Sequence, residues 1–201
     1  MDPEAAEWGG AEATDLGLQP TPLTAQPSIY VQKKWKDIPY GMATGISVRA
    51  LHNGNGIYFW LSWQDDTGDD AIRDTDQFGD AAAVMFPVQE DAPLQSMGSP
   101  QQMINVWLWR ADLDSPYSVV SKGIGTTKRT SEPGMAGGGR FADGRWTVVL
   151  GRPMSAEGLG HVWLAPRITK KVAFAVWQGS NLERGGLKAV TLEWQPLEIE
   201  A

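Results

Sequence analysis

The chain has 201 residues, and 17 Lys and Arg against 24 Asp and Glu give it a formal net charge of −7, which argues against the basic face of a nucleic-acid binder. It contains no cysteine and two histidines, so disulfides, thiolate metal sites, cysteine nucleophiles and multi-histidine metal sites are excluded. No apolar run of about 18 residues is present to span a membrane, and 23 Gly, 13 Pro and 10 Trp are typical of a turn-rich β protein.

Residues 1–27 differ in composition from the rest of the chain. They are acidic, rich in Ala, Pro and Thr, and show no hydrophobic period. This composition predicts an extended acidic arm that is ordered only against a partner, followed by a single domain over residues 28–201. The first ten residues lack a basic stretch followed by an apolar one, so we expect no signal peptide.

Short alternating segments separated by turn residues fill residues 28–201. An Asn/Gly turn at residues 52–56 predicts a hairpin, and long loops are expected at 65–80 and 121–144. The predicted strands are residues 29–33, 46–51, 57–63, 81–88, 104–113, 146–150, 161–164, 172–177 and 187–197. No long helical period appears, so the fold class is all-β: an antiparallel, jelly-roll-like β-sandwich with long loops.

The titratable side chains form no strong catalytic motif. The loop at residues 65–80 carries seven aspartates, which is compatible with calcium binding but more typical of a solvated acidic loop or docking surface. A glycosidase-type carboxylate pair cannot be read from sequence alone. His52 lies in a turn and His161 begins a short segment, and both are expected to be hydrogen-bonding or surface residues.

The segment at residues 104–110 has two different faces. Asn105, Trp107 and Trp109 share one face, and the even-numbered positions from 104 to 108 are aliphatic. One face can pack in the core while the other lines a flat ligand. An aromatic face of this kind binds sugars or planar cofactors, or forms a second packing layer under a loop.

Lys188 is the sharpest local anomaly. It shares strand parity with Val190, Leu192 and Trp194, and a lysine on an apolar face is costly unless something compensates it. Either it reaches out to solvent from the end of the strand, or burial keeps it neutral. A neutral amine has a lone pair that can bind a metal.

Seven methionines offer soft sulfur ligands for haem iron or copper. Met97 lies in the irregular loop before the tryptophan strand, where no periodicity requires an apolar residue. Pattern alone does not choose Met97 over Met103 or Met135.

Four segments, in this order along the chain, resemble a known family. They are AVMFP at 83–87; MGSP at 97–100 followed by NVWLWRAD at 105–112; WTVVL at 146–150 followed by RP at 152–153; and FAVWQGSN at 174–181 running on through ERGGLKAV at 183–190. Over roughly residues 29–198 the chain resembles the haem-b-binding gamma subunit of ethylbenzene dehydrogenase. Dimethylsulfide dehydrogenase, selenate reductase and chlorate reductase have related subunits.

The resemblance implies a β-sandwich related to carbohydrate-binding and cytochrome-type modules, with one haem b held by axial Met and Lys ligands at Met97 and Lys188. It also implies a molybdenum catalytic subunit and an iron–sulfur subunit as partners, and a periplasmic location for the mature protein. The chain would relay electrons between the iron–sulfur subunit and a soluble c-type cytochrome, with no catalytic site of its own.

Several expectations follow for the haem. Without a Cys-x-x-Cys-His motif it is held non-covalently, so the pocket walls supply the affinity. We take Asn105 and Trp109 as wall residues. The acidic surface is expected to dock a basic cytochrome through complementary charge.

Two competing functions use the same features differently. A carbohydrate-binding module would use the same sandwich and tryptophans with no cofactor. A hydrolase would use carboxylates from the loop at residues 65–80, although no motif supports it.

Overall fold

In the computed structural model, two antiparallel sheets pack face to face; the structure describes residues 2–130, 134–156 and 158–201. The strands are β1 (Thr14–Gly17), β2 (Gln19–Pro20), β3 (Gly45–His52), β4 (Gly56–Gln64), β5 (Ala81–Pro87), β6 (Ile104–Arg110), β7 (Tyr117–Ser121), β8 (Lys128–Arg129), β9 (Ala136–Ala142), β10 (Arg145–Pro153), β11 (Ile168–Trp177), β12 (Ala189–Val190) and β13 (Gln195–Ile199). The helices are α1 (Ile29–Trp35) and the 3-10 turns Ala6–Gly10, Leu23–Ala25 and Gly179–Asn181.

The first sheet has the strand order β1-β3-β4-β10-β9, and the second has the order β2-β12-β11-β5-β6-β7-β8. β13 pairs with the first half of β11, and β5 and β12 flank its second half. The predicted hairpin is the β3–β4 pair, closed at His52 and Ile57. These features confirm the predicted all-β sandwich.

Alternation along each strand decides what lies between the sheets. On the second sheet, Val84, Trp107 and Phe174 point inward and meet Leu61 and Val148 of the first sheet. The opposite face of the second sheet carries a separate apolar cluster that includes Ala83, Met85, Val106, Val119, Ala175 and Val190. The second sheet is therefore apolar on both faces, as expected for a sheet that is covered on both sides.

The predicted arm at residues 1–27 is part of the sandwich. β1 pairs with β3 and β2 pairs with β12, so this segment extends both sheets. Trp8 and Leu18 are buried, which anchors the acidic stretch against the domain. Composition alone missed this, because edge strands need only a few buried side chains.

Two predicted strands have a different conformation. Residues 29–33 belong to helix α1, whose first turn is capped by the Ser28 hydroxyl accepting from the backbone N–H of Val31. Residues 161–164 form no strand, because the N–H of Val162 donates to the Asn105 side chain and that of Leu164 to the Met154 carbonyl. These hydrogen bonds take the place of the strand-to-strand backbone hydrogen bonds that a β-strand would form.

The predicted strand at residues 187–197 is split into β12 and β13. The Thr191 hydroxyl accepts from the N–H of Phe174 at the break, where a side chain takes over from the backbone ladder. Part of the predicted loop at residues 121–144 is strand β9. Its Gly139 is required because a Cβ there would lie 2.3 Å from the ring of Trp109. Residues 131–133 of that loop lie outside the described residues.

Candidate cofactor site

An apolar cavity of about 840 Å³ lies on the outer face of the second sheet. Val106, Val119 and Val190 belong to its floor, and Trp177 stands at its side. The walls are loop segments between residues 21 and 31, 72 and 79, 94 and 97, 124 and 127, and 183 and 192. Its size and apolar lining are those of a cofactor site, for which volumes of about 300–1,000 Å³ are usual.

The loop that carries Met97 is fixed by its backbone. The Met97 N–H donates to the Leu94 carbonyl, and the Met97 carbonyl accepts from Gly123, both at 2.9 Å. Met97 has φ +57°, an uncommon value for a residue with a side chain, and Gly98 follows with φ +86°. A Cβ at Gly98 would lie 2.7 Å from the Gln102 carbonyl, so glycine is needed there. This tight turn directs the half-buried Met97 side chain to the cavity.

Lys188 approaches from the segment leading into β12. Its side chain is 5% exposed, and its Nζ lies 5.0 Å from the centre of the Trp177 ring. Among the described residues no carboxylate forms an ion pair with it. Burial lowers the pKa of Lys188 to about 8, because the charged amine loses its hydration. The amine is therefore much easier to deprotonate than an exposed lysine.

Met97 and Lys188, 91 residues apart in the sequence, meet in this cavity. The Lys188 Nζ lies 3.6 Å from the Met97 Sδ. A metal held between facing sulfur and nitrogen atoms, with bonds of about 2.3 and 2.0 Å, would keep them roughly 4.3 Å apart, so these side chains would have to separate by less than about 1 Å to hold one. The pair is a soft sulfur donor facing a nitrogen donor, in a space whose other lining is mostly apolar.

Asn105 and Trp109 lie elsewhere. Both point between the sheets, on the face of β6 opposite the cavity, and both are buried. Trp109 packs against Trp146, with ring centroids 4.9 Å apart, and the Asn105 side chain donates to Ser118 and accepts from Trp107. We therefore correct the expected wall: the face of β6 that lines the cavity holds Val106 and Leu108. The aromatic face of β6 packs in the core, and not in the cavity, because its large rings fill the space between the two sheets.

The remaining wall residues carry no sequence signal of their own. Residues 21–27 fall in the predicted arm, 29–31 in a predicted strand and 124–127 in a predicted loop, and only the fold brings these segments to the cavity. The alternation at residues 104–108 predicted two different faces, and the aromatic one was taken as the ligand face. In the structure the aromatic face packs between the sheets, and the aliphatic face lines the cavity.

The acidic loop at residues 65–80 has two buried members. Asp80 accepts from the N–H groups of Gly179 and Asp69 and from the indole of Trp146. Burial, opposed by these donors, raises the pKa of Asp80 to about 7, and burial also raises the pKa of Asp65. Within residues 2–130, 134–156 and 158–201 no cluster of three His, Cys, Asp or Glu suits a metal ion.

The two histidines are outside the cavity lining. His52 accepts from the N–H of Gly54 in the β3–β4 turn, as expected for a turn residue. The described residues contain no helix that is long and apolar enough to cross a bilayer.

The chain is thus a β-sandwich protein with an apolar cavity on the outer face of one sheet, where a thioether and a buried amine meet. The family model described as ethylbenzene dehydrogenase matches residues 5–139 and 132–189. The chain belongs to this family.

Two relatives match nearly the whole chain. The gamma subunit of chlorate reductase from Ideonella dechloratans is 38% identical over 98% of this chain and 79% of its own length. A protein of Haloferax mediterranei, provisionally named a respiratory nitrate reductase heme subunit, is 34% identical over 96% of this chain and 66% of its own length.

A solved structure supports the fold. The family 9 carbohydrate-binding module of Caldicellulosiruptor kristjanssonii, in complex with glucose, superposes with a TM-score of 0.51. The superposition covers all of this chain and 91% of that module, and the sequences are 7% identical, so the likeness concerns the fold alone.

Proposed function

We propose that this chain is the electron-transfer haem subunit of an oxidoreductase complex, and that Met97 and Lys188 are the axial ligands of its haem iron. The proximity of Nζ and Sδ, 3.6 Å apart in an apolar cavity, carries this proposal. The names of two relatives support it, since one is a reductase gamma subunit and the other a heme subunit. Both relatives are named as subunits, and the proposed role of this chain is likewise that of a subunit that passes electrons without a catalytic site of its own.

The residues present fit a haem. Lys188 is buried without an ion-pair partner among the described residues, which is costly for a structural lysine and useful for a ligand. Aliphatic side chains supply most of the floor, as the hydrocarbon part of a porphyrin requires. The chain has no cysteine for a covalent link, so the fitting form is haem b.

A haem held by Met97 and Lys188 would supply a one-electron couple and would leave no position for a substrate. The Met97 thioether would raise its reduction potential, and the stronger amine donor of Lys188 would offset part of that rise. Lys188 binds only after losing its proton, so ligation is favoured as pH rises. Trp177 covers the amine and limits the access of water to it.

The proposed partners follow from this role. They are a molybdenum catalytic subunit and an iron–sulfur subunit of the same complex, with a soluble c-type cytochrome as the electron carrier. The proposed location is the periplasm, which rests on the family resemblance alone.

Charge gives the carrier a docking surface. The acidic loop borders the cavity through Asp74, and Asp66, Asp70 and Asp76 are exposed along it. A basic carrier would be steered to this rim, close to the haem.

Replacing both Asp74 and Asp76 by lysine should slow reduction of a basic cytochrome c about tenfold at low salt and much less at high salt. A rate that stays unchanged at low salt would reject this surface.

The ligand assignment is tested by optical spectra of the protein reconstituted with haem b. Met97→Leu and Lys188→Leu should each abolish the low-spin six-coordinate spectrum while haem still binds, because leucine offers no atom that can bind iron. Met103→Leu and Lys171→Leu are matched controls, because neither residue lines the cavity. A wild-type protein without a Soret band would reject the haem function, and an unchanged spectrum in either cavity variant would reject that ligand.

A further inference from the structure

The positively charged side chains of the cavity are unevenly distributed. Its floor is aliphatic, and the cationic side chains on its lining, apart from Lys188, are Arg110 and Arg184. Arg110 ends β6, with its side chain about one-third exposed, and Arg184 is exposed. Both guanidinium groups are therefore at the rim, whereas Lys188 lies inside.

Contacts place the two arginines on either side of one short segment, Phe78–Gly79. The Arg184 guanidinium lies 4.4 Å from the centre of the Phe78 ring. Arg110 forms two hydrogen bonds with Asp112, and Asp112 packs on Gly79, where an added Cβ would be 2.9 Å from its carboxylate. Arg184 therefore lies directly against this rim segment, whereas Arg110 is linked to it through the Asp112 carboxylate.

The two cations differ in how strongly they are already engaged. The Asp112 carboxylate neutralises Arg110 through a bidentate pair of 2.9 and 2.7 Å. Arg184 donates to the Leu182 carbonyl and stacks on Phe78, and neither partner carries a charge. Arg184 therefore keeps its full charge for an anion. A planar guanidinium is well suited to a carboxylate.

A haem b is amphipathic, since one edge of its ring carries two propionate carboxylates and the remaining edge is hydrocarbon. We propose that the rim at Phe78–Gly79 is the propionate site, with Arg184 as the principal anchor and Arg110 as the weaker one. This inference rests on the proposed haem function. It fixes which way round the ring enters the cavity: the hydrocarbon edge turns to the valine floor and the charged edge to Arg184 at the Phe78–Gly79 rim.

The test compares binding of haem b with binding of its dimethyl ester, which has the same ring and iron but no carboxylates. Wild-type protein should prefer haem b by about tenfold or more, since one charge-assisted hydrogen bond contributes roughly 1.5–3 kcal/mol. Arg184→Gln should weaken haem b and leave the ester unchanged, which removes most of the preference. Arg110→Gln should remove a smaller part. Arg140→Gln, on β9 of the other sheet, is the matched control and should keep the full preference.

The midpoint potential gives a second readout. Loss of the Arg184 charge should lower the potential, because ferric haem carries one more positive charge than ferrous haem and a nearby cation disfavours it. If Arg184→Gln weakens haem b and its ester equally, or neither, the propionate site is overturned while the haem function stands. If wild-type protein binds neither porphyrin, the haem function itself fails.

Discussion

Two buried cations, Arg152 and Lys188, are held in opposite ways. Arg152 is fully buried between the sheets, where it donates to the carbonyls of Pro153, Met154 and Val162 and lies over the Trp107 ring. Lys188 is almost as buried, but its amine contacts the Met97 sulfur and the Trp177 ring. Arg152 has strong hydrogen-bond acceptors on several sides, whereas the amine of Lys188 has only weak partners.

This difference separates a structural charge from a functional one. Carbonyl oxygens and an aromatic face compensate the desolvation of Arg152, so its charge can persist in the core. A thioether and a ring compensate Lys188 poorly, and its pKa falls. A side chain retained at such a cost is expected to act in binding rather than in folding.

The largest expected change in stability comes from replacing Arg152. Arg152→Met should lower the free energy of unfolding by about 5 kcal/mol, because buried carbonyls lose their donors. Chemical denaturation measures this loss. Arg145→Met, on the same strand β10 but exposed, should cost less than about 1 kcal/mol. Equal effects of the two substitutions would contradict the structural role of Arg152.

Asp80 extends the comparison to a buried anion. Its pKa is about 7 when folded and 3.8 in its reference state, so the folded protein holds the proton more tightly. Stability should therefore fall as pH rises from about 4 to about 7, by up to about 4 kcal/mol, and then level off.

Asp80→Asn should flatten this profile, and it should lower stability at low pH, where wild-type Asp80 keeps its proton, because one carboxyl acceptor is replaced by an amide donor. Unfolding curves between pH 4 and 8 test both statements. Asp66→Asn, an exposed change in the same loop, should leave the profile as it is. A persistent slope in Asp80→Asn would assign the titration to another group.

The smallest expected change in stability, and the only stabilising one, comes from replacing Lys188. Lys188→Met should raise the free energy of unfolding of haem-free protein at pH 7 by roughly 3 kcal/mol, because the lowered pKa measures the cost of burying the charge. Lys171→Met, whose amine donates to the Glu90 carbonyl, should change little. A destabilised Lys188→Met protein would mean that the amine has a structural role.

Sequence alternation predicted the sandwich well where strands are long and paired on both sides. The hairpin β3–β4 and strands β5, β6 and β10 follow directly from period-two patterns and an Asn/Gly turn. Prediction failed where one specific contact decides the conformation. The Ser28 cap creates α1, and the Trp109 ring keeps Gly139 without a side chain inside a strand.

The candidate site was predictable only in part. The parity of Lys188 with Val190 and Leu192 marked an anomalous lysine, and all three residues do line the cavity. Nothing in the spacing connects Lys188 with Met97, since the two elements meet only through the fold. The resemblance selected Met97 for that reason, whereas periodicity could not separate it from the other methionines.

The N-terminal wall of the cavity bears on assembly. The Thr21 N–H donates to the Lys188 carbonyl and the Gln26 side chain to that of Gly186, so residues 21–26 close over the segment that carries the lysine. These bonds tie one wall of the cavity to the backbone on both sides of Leu187. A substitution that loosens residues 21–26 should therefore also change the position of the Lys188 amine, although these bonds reach the backbone of that segment and not the amine itself.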